Sequence, residues 1–334
     1  MGVLRELILE APGKLLMRTP RSESRPLQAH ELRVSTLYGG ICGSDLKVYE
    51  GHMAHAVYPV RPGHELLAVV TEVGDDATSF APGDRVVIIP NTFCGECDQC
   101  RRGQTNICCN KQSLGINVPG GFADEWVVAS KYAVPVPEAV PDRVAVLVEP
   151  FAVAVHAMQK VQICEGDEVL VSGCGTEGAL CALVASARGA HVTVTDIQPD
   201  RLRWIHSILP NVHPITPDQV ADDSFAVVVE AAGARASVES AFAAVAPGGI
   251  ILGVGMAVEA AIPMQRFVRK EATLYGSIIY VYDDFAQALA WLNRDCELAA
   301  KLEACIGAEV SLDAFEEAYS HALSGKPGKA LLKF

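Results

Sequence analysis

Residues 167–180 read DEVLVSGCGTEGAL, and this stretch decides the fold. DEVLVSG (167–173) is a short apolar run ending in glycine, the pattern of a buried strand. EGALCALVASARGA (177–190) has the length and periodicity of a helix. Between them, Gly173-Cys174-Gly175-Thr176-Glu177-Gly178 forms a GxGxxG turn. Gly173 permits the tight turn, Gly175 lets backbone approach a pyrophosphate, and Gly178 lets helix and strand pack closely. The helix start adds unpaired N–H groups and positive potential. A glycine turn alone also serves ordinary strand-to-helix connections. Here Asp196 follows 18 residues after Gly178, at the end of HVTVTD (191–196). A carboxylate there can hold both ribose hydroxyls and repel a 2′-phosphate, so NAD is expected and NADP disfavoured. Arg201 softens that preference.

The pattern continues outward. EPFAVAVHAMQKV (149–161) reads as a helix, and FAVVVEAAG (225–233) and GGIILGVG (248–255) as further strands. Strands alternating with helices imply βαβ units and a parallel sheet covered on both faces. Thr176, Glu177, Arg201 and the strand-end residues Gly233, Val254 and Gly255 complete the candidate cofactor surface, because ligands of such sheets gather at the carboxyl ends of strands. Residues 1 to about 150 have a different texture. LRVST (32–36), LLAVVTEVG (66–74) and DRVVIIP (84–90) read as strands, and Pro-Gly pairs at 12–13, 62–63, 82–83 and 119–120 punctuate them. DDFAQALAWLNR (283–294) and LDAFEEAYSHALSG (312–325) read as amphipathic helices, and KALLKF (329–334) as a last strand.

The chain has 334 residues, enough for about two domains. Its 27 basic and 40 acidic side chains leave a formal charge of −13, which disfavours nonspecific nucleic-acid or anionic-membrane binding. No run of about 18 apolar residues occurs; the most apolar region, 144–158, is broken by Glu149, Pro150 and His156. Arg5, Glu6 and Glu10 make the N-terminus unlike a signal peptide, so a cytoplasmic protein is expected. The 11 cysteines, an odd number, argue against a disulfide framework.

Cys94, Cys97, Cys100 and Cys108 place four thiols within 15 residues at metal-ligand spacing. Zn²⁺ favours tetrahedral sulfur, and a closed four-sulfur site leaves no position for substrate, so this site reads as structural. Cys109 is an alternative fourth ligand, and an iron–sulfur cluster a lesser alternative. Three further candidates stand apart: Cys42 in GGICGSD, His64 and Glu65 in PGHE, and Glu149 in VEP. Taken singly, a cysteine is most often a small buried apolar residue and a histidine or glutamate a hydrogen-bonded structural group.

Together these motifs resemble the zinc-containing alcohol dehydrogenases of the medium-chain dehydrogenase/reductase superfamily. The order is G-x-C-G-S-D, G-H-E, the four-cysteine lobe, G-G-F-A-D at 120–124, E-P at 149–150, GxGxxG, and a terminal G-K-x-L-L at 328–332. The likeness spans the chain, and its E-P segment is most similar to the polyol, threonine and sugar-alcohol branch. It implies an α/β fold in which a GroES-like catalytic domain (1–150 and 277–334, with a structural zinc lobe at about 91–110) flanks a Rossmann domain (151–276). It implies two zinc ions, with Cys42, His64 and Glu149 holding the catalytic one and Glu65 beside it or exchanging with Glu149. Such a zinc lowers the pKa of a substrate alcohol, which then passes hydride to C4 of the nicotinamide. Ser44 matches the hydroxyl that relays the alcohol proton.

Two positions depart from the family pattern. Lys47 stands where many members carry the histidine that passes the proton to solvent. Glu177 stands where a small apolar residue usually backs the nicotinamide ring; a carboxylate there could favour the oxidised ring, point to solvent or weaken docking. The expected activity is NAD-linked oxidation of a secondary alcohol: a polyol, sugar alcohol, sugar phosphate or cyclitol. Threonine 3-dehydrogenase activity is one alternative. A non-catalytic nucleotide-binding relative is another, favoured by Lys47 and Glu177. The resemblance also implies a homodimer or homotetramer formed through the Rossmann domains, with GGIILGVG as the candidate pairing strand and a small molecule as the only other partner.

Overall fold

The computed structural model describes residues 3–20 and 25–334. Its first strands, β1 (Glu6–Ala11) and β2 (Lys14–Arg18), form a hairpin. A larger antiparallel group follows: β3 (Glu31–Ile41), β4 (Glu65–Val73), β5 (Arg85–Ile88), β6 (Glu125–Ala129) and β7 (Ala133–Pro135). The middle of the chain supplies a six-stranded parallel sheet from β8 (Glu168–Ser172), β9 (His191–Thr195), β10 (His213–Ile215), β11 (Phe225–Glu230), β12 (Val245–Gly253) and β13 (Thr273–Gly276). The chain end returns to the first sheet as β14 (Ile306–Ser311) and β15 (Lys329–Lys333), giving the order β14-β15-β3-β4-β5-β7 with β6 on β3. This is the mixed GroES-like and Rossmann architecture that the motifs imply.

The parallel sheet explains its own sequence. Val169, Val171, Val227 and Val229 join the core containing helices Val148–Gln159 and Thr176–Ala187, while Leu170, Val228 and Ile251 pack with helix Arg235–Ala244. Both faces are covered, so the strands read as continuous apolar runs rather than alternating ones. Helices Tyr282–Arg294 and Cys296–Glu303 lie against the Val148–Gln159 and Thr176–Ala187 pair. The strand order β10-β9-β8-β11-β12-β13 reverses direction between β8 and β11. The crevice at the carboxyl ends of those two strands is where such sheets bind ligands.

One expectation fails. GGIILGVG was expected to pair with a second copy, yet its strand, β12, has both edges occupied, by β11 and β13. The free edge on that side belongs to β13, whose four residues are all exposed. Four residues with no buried face carry no hydrophobic period, so this strand is not legible in the sequence. No helix among the described residues is long and apolar enough to cross a membrane.

Candidate active site

Two adjacent strands assemble the candidate metal group. Cys42 follows the end of β3, and Glu65 begins β4, paired with Gly40. Ligand atoms of Cys42, His64 and Glu65 lie within 4.8 Å of one another. Glycine at 40 leaves room for Glu65, because a Cβ there would sit 2.1 Å from Glu65 Oε2 and displace that carboxylate. Gly63 has φ +98, and its absent side chain makes room for the Phe122 ring.

Neighbouring groups hold each member of the set. Asp45 is buried in the first turn of helix Gly43–Tyr49; its Oδ2 accepts the Cys42 N–H at 2.9 Å, and its Oδ1 is 3.3 Å from His64 Nδ1. A carboxylate behind a ligating imidazole fixes the ring's orientation and raises its basicity. Burial pulls the His64 pKa down, but Asp45 and Cys42 outweigh it and hold the imidazole well above its usual value. Lys329 Nζ donates to Glu65 Oε1 at 2.5 Å, both side chains being enclosed. Glu65 Oε2 is left buried without a partner. A thiol, an imidazole and a carboxylate oxygen with no protein partner are a donor set that suits Zn²⁺.

Glu149 stands at the start of helix Val148–Gln159, outside that compact group. Its Oε1 accepts a hydrogen bond from Tyr280 Oη. Asn91 Nδ2 in turn donates to Tyr280 Oη at 3.0 Å, and Ser113 Oγ donates to Asn91 Oδ1 at 2.8 Å. Burial lifts the Glu149 pKa to about 7, with His64 opposing the shift and Glu65 adding to it. Burial and the Glu149 carboxylate together raise Tyr280 well above a normal phenol, so Tyr280 is the proton donor of the pair. Ser44 Oγ lies 3.3 Å from His64 Nε2 and faces the cleft, whereas Lys47 sits at the cleft's exposed side.

The glycine turn stands across this cleft. Gly173 has φ +95, and a Cβ at Gly178 would lie 1.8 Å from the Gly173 carbonyl oxygen, so close strand–helix packing demands both glycines. Above Gly175, by contrast, nothing lies within 4 Å of a Cβ position. That space, at the start of helix Thr176–Ala187, fits a pyrophosphate. Asp196 accepts N–H bonds from Cys174 and Gln198, each at 2.8 Å, and Arg201 approaches it to 3.7 Å. Asp196 and Arg201 border a cavity of about 300 Å³. Arg201, Thr176 and Glu177 also line a cleft of about 510 Å³ that reaches Cys42 and Ser44. Gly233, Val254 and Gly255 form its wall. Glu230 Oε1 accepts the N–H groups of Ala232 and Gly233, fixing the loop that carries Gly233.

Cys94, Cys97, Cys100 and Cys108 form a second group, their sulfurs all within 4.8 Å. Cys108 is its fourth member, and Cys109 is exposed outside it. Backbone N–H groups turn toward sulfur: Cys97 N–H donates to Cys94 Sγ at 3.4 Å and Cys94 N–H to Cys108 Sγ at 3.3 Å. Such bonds favour thiolates, as a four-sulfur zinc site needs. Asp45, Lys329, Tyr280 and Glu230 are not among the candidate site residues named from the sequence. Asp45, three residues after Cys42 in G-S-D, and Lys329 of the G-K-x-L-L stretch each had a legible signal; Tyr280 and Glu230 had none.

A metal-ligand set facing a dinucleotide turn across one cleft defines a metal-dependent dehydrogenase. Residues 28–138 match the model of the alcohol dehydrogenase GroES-like domain, and residues 178–294 that of the zinc-binding dehydrogenase. The chain is 32% identical over 272 residues to 2-dehydro-3-deoxy-L-galactonate 5-dehydrogenase of Pseudoalteromonas atlantica, covering 78% of this chain and 80% of that protein. It is 30% identical to a sorbitol dehydrogenase of Halalkalibacterium halodurans, over 91% of each chain. An alcohol dehydrogenase from E. coli CFT073, solved with the cofactor NADH, superposes with a TM-score of 0.89 at 28% identity over the full length of both chains. The chain belongs to the zinc-dependent dehydrogenases of the medium-chain dehydrogenase/reductase superfamily.

Proposed function

We propose that this protein oxidises a secondary alcohol of a polyol, sugar alcohol or related sugar derivative, with NAD as hydride acceptor. The observation that carries this reading is the single cleft that joins Cys42 and Ser44 to Gly175 and Glu177. A dinucleotide with its ribose on Asp196 and its pyrophosphate over Gly175 directs its nicotinamide toward Cys42 and His64. Zinc, when bound by Cys42, His64 and Glu65, supplies a Lewis-acidic centre that eases loss of the alcohol proton. Glu149, held by Tyr280, stands ready either to exchange with Glu65 as a ligand or to accept a hydrogen bond in the site. Asp45 holds the His64 ring, and Lys329 holds Glu65. Ser44 takes the alcohol proton toward solvent, where Lys47 or water finishes the transfer. NAD⁺, if held by Asp196, Gly175 and the start of helix Thr176–Ala187, would supply a hydride acceptor for the carbinol hydrogen, so that alcohol and NAD⁺ would give ketone, NADH and a proton. The four-cysteine group holds a second, structural zinc.

The division into a catalytic unit (1–150 and 277–334) and a cofactor unit (151–276) is part of this reading, the catalytic unit's helices at 282–303 packing on helices Val148–Gln159 and Thr176–Ala187. The exposed edge of β13, bearing Leu274 and Tyr275, supports a homo-oligomer built by pairing that edge with its copy. The 11 free cysteines suit the reducing cytoplasm. The direct test measures NADH formation on sorbitol, galactitol 1-phosphate, inositols and L-threonine. Turnover on a polyol or its phosphate supports the proposal. Turnover on threonine alone moves the protein to the amino-alcohol class, and NADH binding without turnover on any alcohol contradicts an enzymatic role.

A further inference from the structure

Glu177 is the acid in the cleft that the chemistry above leaves unused. It occupies the second position of helix Thr176–Ala187, one residue before the glycine that packs against Gly173. Its Oε2 is enclosed and has no hydrogen-bond partner. Glu149 is engaged by Tyr280 and Glu65 Oε1 by Lys329, while the unpartnered Glu65 Oε2 belongs to the metal-ligand set. A buried carboxyl oxygen without a partner is costly, and such a group is retained where an occupant completes it.

The geometry identifies the occupant. Arg201, beside Asp196, lines the same cleft as Gly175, Glu177, Cys42 and Ser44, and the charges of Lys329, Glu149 and Glu65 act on Glu177, which puts it toward the metal-ligand group. A dinucleotide anchored at Asp196 and Gly175 therefore places its nicotinamide beside Glu177. That ring is cationic when oxidised and neutral when reduced, while the rest of the cofactor carries the same charge in both states. An acid beside the ring is thus a group able to discriminate the two redox forms.

We propose that Glu177 sets the relative affinity of this enzyme for oxidised and reduced cofactor, its carboxylate stabilising the cationic ring. This inference rests on the dinucleotide reading above. Burial pushes the Glu177 pKa up to about 8, with Lys329 opposing the shift and Glu149 and Glu65 adding to it. The carboxyl is therefore largely ionised at pH 9 in the free protein, and a cationic ring favours ionisation further.

The test is equilibrium titration of the zinc-loaded wild type and of Glu177→Gln with NAD⁺ and with NADH at pH 9, without substrate. Glutamine keeps the shape and removes the charge. The expected result is that Glu177→Gln weakens NAD⁺ binding about tenfold relative to NADH, the scale of one charge acting across a partly shielded contact. Glu177→Asp should retain the wild-type ratio. Equal changes in both dissociation constants, or none, would assign Glu177 to packing or to a redox-independent hydrogen bond and overturn the inference while leaving the dinucleotide site standing. Failure of the wild type to bind either form would remove both. Melting curves of the variants establish that each is folded.

Discussion

Asp45, the last residue of the G-x-C-G-S-D motif, shows how much of the site depends on side chains that touch no substrate. It is buried, it receives the Cys42 N–H, and it stands behind the His64 ring. Asp45→Asn keeps the shape and removes the charge that orients the imidazole. We expect zinc affinity at the cleft to fall roughly 10- to 100-fold, the usual cost of losing an outer partner of a ligating histidine, while the four-cysteine site keeps its metal. Competition with a chromophoric chelator measures this, and an unchanged affinity would contradict the role given to Asp45. At this scale the sequence was partly legible. Cys42 and His64 come together, but the carboxylate in their compact group is Glu65, whereas Glu149, the expected third ligand, stands outside it beside Tyr280. Tyr280 was not readable, because its partner Glu149 is 131 residues away and only the folded chain brings the two together. Lys329 lies in the G-K-x-L-L motif, but its pairing with Glu65, 264 residues away, is likewise made only by the folded chain.

Among elements, the strand–turn–helix at 168–187 separates folding from binding. Gly178 meets the Gly173 carbonyl so closely that Gly178→Ala forces strand and helix apart; a loss of about 1–3 kcal/mol is expected, typical of overpacking. Gly175 has an ordinary φ of −67 and open space above it. Gly175→Val should therefore melt within a few degrees of wild type yet bind NADH poorly, because its side chain fills the pyrophosphate cradle. Thermal melts with NADH titrations check the pair; equal behaviour of the two variants would refute this division of labour. Periodicity marked this element and the strands β9, β11 and β12 of the parallel sheet well, but not the short β10, since buried runs of valine and leucine flanked by glycine have few other readings. It was silent on β13 and on β14, where exposed or partly exposed residues carry no face pattern.

For the whole molecule, the free edge of β13 corrects the expectation placed on GGIILGVG. Leu274→Lys with Tyr275→Lys puts charges on that edge, which native sheets use to block pairing. Light scattering should show the wild type as an oligomer and the double variant as a smaller species; a wild-type monomer would dismiss the pairing. The cleft itself depends on both sheets, the antiparallel one presenting Cys42 and His64 and the parallel one presenting Gly175 and Glu177. Turnover by this mechanism requires one metal in that cleft, and the cysteine lobe requires another. The most direct test is zinc content per chain, measured by mass spectrometry on wild type, Cys42→Ser and Cys97→Ser, alongside NAD-linked polyol oxidation. We predict two zinc ions in the wild type and one in Cys42→Ser, which stays folded but inactive, whereas Cys97→Ser loses the other ion and melts lower. Two ions in Cys42→Ser, or undiminished turnover by it, would contradict the mechanism.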